Sequence, residues 1–77
     1  MKADFDINQL HDMIETLKGV VNDPRLTRKQ RRRVIKMILL IQSIAEDPSR
    51  EISLYTYKMY LNAYLLYSYL KNPSQFE

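Results

Sequence analysis

Three Xaa-Pro dipeptides, Asp23-Pro24, Asp47-Pro48 and Asn72-Pro73, punctuate the chain at nearly equal intervals. Proline disfavours α geometry in the residue before it and has no N–H to donate within a helix, so each pair reads as a helix stop. A chain divided this way has room for three helices and short turns. The recurrence of about 24 residues is one helix plus its turn rather than a repeat family, because the segments share no internal motif.

Hydrophobic periodicity fills the intervals, with helices expected over roughly 6–22, 27–46 and 51–71 and a flexible tail over 72–77. In the first, Asp6 is placed to cap, Gln9 stands at N3 where a capping-box partner belongs, and Phe5 faces Leu10 as a hydrophobic staple. Ile7, Leu10, Ile14, Leu17 and Val21 then form one stripe, widened by Met13 and Val20. The second opens on Thr27, whose spacing to Gln30 makes another capping box. Its later turns place Val34, Met37, Ile38, Ile41, Ile44 and Ala45 on one face, with Ile35, Leu39 and Leu40 on the flanks and back.

The third helix has its leucines on two sides. Leu54, Leu61 and Leu65 stand on one side, and Met59, Ala63, Leu66 and Leu70 on the other. Between them runs a tyrosine line, Tyr57, Tyr60, Tyr64 and Tyr67, spanning about 80° of the helix circumference. Helices apolar on most sides exceed what a lone three-helix bundle can bury. The expected fold is therefore all-α, a three-helix antiparallel bundle completed by homodimerisation through the second and third helices.

Size and composition remove most other classes. A chain of 77 residues forms one domain, and a core this small supplies only roughly 3–5 kcal/mol. With no Cys and one His, there is no disulfide framework and no material for a zinc cluster. The acidic start, Met1 to Asp6, lacks the apolar stretch of a secretory signal, and the longest apolar run, Met37 to Ile41, is far short of a membrane span; a cytoplasmic protein is expected.

Catalytic constellations are missing too. His11 sits on the polar face of the first helix beside Asp12 and Glu15, an ordinary surface arrangement. One Gly rules out a phosphate-cradling loop, and Gly19 is read as a close helix contact or a weak last turn. The paired acids Asp4 and Asp6, or Glu46 and Asp47, fall at helix termini, where capping explains them. No catalytic residue, metal, cofactor or small-molecule substrate is expected.

The strongest functional signal is a basic block. Arg25, Arg28, Lys29, Arg31, Arg32, Arg33 and Lys36 place seven of the chain's 12 cations in one short stretch. Five of the seven lie in the first two turns of the second helix, at the positive end of its dipole, where cations are unfavourable. Local rules are broken most often at functional sites, which makes the block the first candidate for a binding surface. Arg28, Lys29, Arg32 and Lys36 form an outward stripe, with Arg31 and Arg33 diverging to either flank. Up-down topology would add Lys18 and Lys71 to this pole and gather Asp4, Asp6, Glu46, Asp47 and Glu51 at the other.

The tyrosine line is the second candidate, either as a protein-binding face or as packing between helices. Three functions follow. The first is a small non-enzymatic regulatory or adaptor protein that binds a protein partner through the tyrosine-rich face and the basic pole. The second is a nucleic-acid binder in which Arg28, Lys29, Arg32 and Lys36 hold phosphates. The third is a peripheral protein of anionic membranes or a toxin-neutralising bundle, sharing general architecture but no motif with bacteriocin-immunity proteins.

Overall fold

The computed structural model describes residues 4–76. Met1 to Ala3, part of the leader reading, and Glu77, the end of the expected tail, lie outside the described residues. Three α-helices account for most of the chain: α1 over Ile7–Val21, α2 over Arg28–Glu46 and α3 over Leu54–Lys71. A 3₁₀ turn follows at Pro73–Phe76, within the segment expected as a tail. No strand occurs among the described residues.

The proline stops work as their chemistry dictates. Asp47 and Asn72, each directly before a proline, take φ/ψ of −148°/82° and −140°/70°, outside the α region. The helix starts are fixed by side-chain caps. Asp6 accepts from the Asn8 amide at 2.9 Å, using N2 rather than the Gln9 capping box anticipated. Thr27 and Gln30 form the full box, with Thr27 Oγ1 accepting from Gln30 N at 3.1 Å and Gln30 Oε1 from Thr27 N at 2.9 Å. Ser53 caps α3 by accepting from Thr56 N at 3.1 Å, which starts that helix at Leu54 instead of residue 51.

A single core joins the three helices. Leu10, Met13, Ile14 and Leu17 of α1 meet Val34, Ile38, Ile41 and Ile44 of α2, with Tyr60 and Ala63 of α3 closing one side. Met13, expected at the margin of its stripe, is fully buried, whereas Ile7, Val20 and Val21 are half-buried. The direction of the helices follows from cross-contacts. Arg31 reaches back to Val21 near the first turn, while His11 and Glu46 border one surface hollow, so α1 and α2 are antiparallel. Phe5 meets Tyr60, and Asp12 meets Tyr67 and Lys71, so α3 runs in the sense of α1. No helix among the described residues is long and apolar enough to cross a membrane.

The apolar surplus of α2 and α3 stays outside. Ile35 and Leu39 are 42% and 59% exposed on α2, and Leu54, Leu61 and Leu65 are 60%, 40% and 56% exposed on α3. Tyr55 and Tyr69 join them on the surface of α3. Gly19 is also exposed, and a Cβ added there would meet no atom within 4 Å, so the anticipated close helix contact is absent.

Candidate functional site

The basic block divides into cations that hold the fold and cations left free. Arg31 turns inward from α2, its Nε donating to the Val21 carbonyl at 2.9 Å and its Nη2 to the Asp23 carbonyl at 3.1 Å. The last carbonyls of a helix have no intrahelical donor, and the guanidinium satisfies Val21 O at the negative end of the α1 dipole while sharing Asp23 O with the Leu26 amide at 3.2 Å. Arg25 is engaged within the turn itself. Its Nη2 lies 2.7 Å from Asp23 Oδ2, and its backbone amide donates to Asp23 Oδ1 at 2.9 Å. These bonds hold the Asp23 carboxyl down to about 2.

Arg28, Lys29, Arg32, Arg33 and Lys36 are all exposed and have no ion-pair partner among the described residues. Lys71, expected at the same pole, instead lies 3.3 Å from Asp12 Oδ1 and 5.9 Å from the centre of the Tyr67 ring. The largest group of free cations therefore stands on α2, with Lys18 of α1 and Lys58 of α3 also exposed and outside both ion pairs. Arg33 departs from the outward stripe and leans over the junction with α3, where it borders two adjoining hollows.

The tyrosine line faces inward. Tyr60 is buried, and Tyr57, Tyr64 and Tyr67 are half-buried against the core. Consecutive rings lie 5.9, 6.2 and 6.0 Å apart, and Phe5 meets Tyr60 edge-on at 4.8 Å. This is the geometry of aromatic packing between helices. At the end of the line Tyr67 donates its hydroxyl to Asp12 Oδ2, which pushes the phenol up to about 12 and holds the Asp12 carboxyl below its ordinary value. Burial raises the Tyr60 phenol as well. The line thus joins α3 to α1, and the outward side of α3 carries Leu54, Tyr55, Leu61, Leu65 and Tyr69 instead.

The junction between α2 and α3 was not anticipated from sequence. Two hollows of about 220 and 330 Å³ lie along it, sharing Arg33 and Met37. A third depression, holding His11 and Glu46, contains no serine or threonine in its lining. Among the described residues no three His, Cys, Asp or Glu side chains come together as a metal site. No protein-family model matches the chain, and no curated protein or solved structure matches it significantly.

Proposed function

We propose that this chain is a non-enzymatic regulatory or adaptor module that binds another protein, and that it does so as a homodimer. The carrying observation is the outward stripe of α3, where Leu54, Leu61, Leu65 and Tyr69 stand exposed with Lys58 as the one charge among them. Positions 54, 58, 61 and 65 follow alternating steps of four and three, the spacing of a coiled-coil seam. About a two-fold axis between Lys58 and Leu61, an antiparallel copy sets Leu54 opposite Leu65 and Lys58 opposite Leu61. At roughly half exposure the four large side chains of this stripe present at most about 400 Å², close to the apolar share of a standard partner face.

The free cations on α2 then remain available to attract an acidic partner surface. Sedimentation equilibrium tests the assembly. The protein should be dimeric, and Leu61→Glu with Leu65→Glu should yield a helical monomer. A wild-type monomer at every concentration would remove the seam. The five free cations also favour a second reading, a phosphate-binding surface for nucleic acid. Titration with random-sequence DNA and RNA separates the two, since tight binding that weakens steeply with salt would replace the protein-partner reading.

A further inference from the structure

The α2/α3 junction combines features that neither helix has alone. Its first hollow has an apolar floor of Val20, Leu26, Val34 and Leu66, and its second is bordered by Lys36, Met59 and Asn62. Arg33 and Met37 border both, so the hollows lie end to end along one crease. Leu66 and Met59 are seven residues apart on α3, about 10 Å along the axis and two helical turns. Met37 and Met59 supply flexible, polarizable side chains that adapt to differently shaped occupants. Along the α2 rim stand two exposed cations, Arg33 and Lys36, with no acidic partner among the described residues.

We propose that this crease is the docking site for an acidic amphipathic helix of a protein partner. The inference rests on the protein-binding reading and names the partner's chemistry. Two apolar side chains at i and i+7 of the incoming helix enter the two hollows, and carboxylates beside them face Arg33 and Lys36. The complementarity is both apolar and electrostatic. The apolar lining of the first hollow is matched by an apolar side chain and not by a phosphate backbone, and no aromatic ring lines either hollow for a base to stack on. A helix laid in an apolar groove between two helices is an established mode of peptide recognition, with i, i+3, i+4 and i+7 anchors.

Fluorescence anisotropy with synthetic peptides tests the proposal. The probe is a fluorescein-labelled helical peptide with Leu at i, i+3, i+4 and i+7 flanked by Glu; one control replaces each Glu by Lys, another each Leu by Ser. The Glu/Leu peptide should bind, and both controls should bind at least tenfold more weakly. Arg33→Glu with Lys36→Glu should weaken binding at least tenfold. Arg28→Glu with Lys29→Glu removes the same charge away from the crease and should change binding less than threefold. Equal losses from the two double substitutions would mean general attraction and overturn the crease. Equal binding of the Leu-free peptide, or its replacement by a DNA 20-mer that alone responds to the Arg33 and Lys36 changes, would overturn it in favour of a polyanion. Leu61 and Leu65 line neither hollow, so the Leu61→Glu/Leu65→Glu variant should keep its preference for the Glu/Leu peptide over both controls, and failure of the dimer and failure of the crease are read separately.

Discussion

Gly19→Ala should stabilise this protein. Gly19 lies within α1, two residues before its end, exposed and with no neighbour within 4 Å of an added Cβ. Nothing in the fold uses the freedom a glycine retains, since no described residue takes a positive φ. In a helix interior Ala is favoured over Gly by roughly 0.8–1 kcal/mol, and much of the difference comes from the entropy of the unfolded chain. Fraying of the last turn reduces this, so about 0.5 kcal/mol is the expected gain. For a domain of 60–100 residues each kcal/mol moves Tm by roughly 4–8 °C, so the variant should melt about 2–4 °C higher. Thermal unfolding followed by far-ultraviolet circular dichroism, at one fixed protein concentration, measures it. An unchanged or lowered Tm would refute the reasoning, because it would mean that something approaches the α1 backbone at Gly19 in solution.

Arg31→Ala should cost about 1 kcal/mol by removing the Arg31 donor from the Val21 carbonyl, the Asp23 carbonyl keeping its bond from the Leu26 amide, while Arg28→Ala should be nearly neutral; urea unfolding of the pair separates structural from free cations. Ile38→Asp buries an unpaired charge in the core and should abolish cooperative folding, so a cooperative melt with native helicity would contradict the placement of α2. Tyr67 carries a folded-state pKa raised from 10.0 to about 12. The stability it contributes is complete below pH 10 and is lost as pH rises through about 12. Ultraviolet titration should therefore show a late-ionising tyrosine that disappears in Tyr67→Phe, and an unchanged titration curve would mean that the bond to Asp12 does not persist in solution.

Much of the fold was legible because its signals are local. The proline stops, the Thr27 cap and the period of Val34, Ile38, Ile41 and Ile44 depend on neighbours within a turn, and each appears in the structure. Ile52 joins the core although the sequence reading passed over it; it stands just before the Ser53 cap, where staple residues occur. The orientation of α3 was less legible. Apolar side chains lie all round that helix, so periodicity could not say whether Tyr60 or Leu61 faces the core. Cross-helix partners decide that: Phe5 and Asp12 take the tyrosine side, leaving the leucines outside. The same holds for the cations. Sequence located Arg31 and Arg33 on opposite flanks, and only the packed helices show one spanning the α1 terminus and the other overhanging the crease.

The Arg31 contacts also imply an order of assembly. They link residues 8 and 10 apart in sequence, whereas the Tyr67–Asp12 bond spans 55. Closing the shorter loop loses less chain entropy, so the α1–α2 hairpin is set to form in the folding transition state, with α3 arriving afterwards. Stopped-flow kinetics should then show Arg31→Ala slowing refolding and Tyr67→Phe mainly hastening unfolding. A helix that joins last is also the one that loosens first, and the wall of the crease formed by Met59 and Leu66 belongs to it.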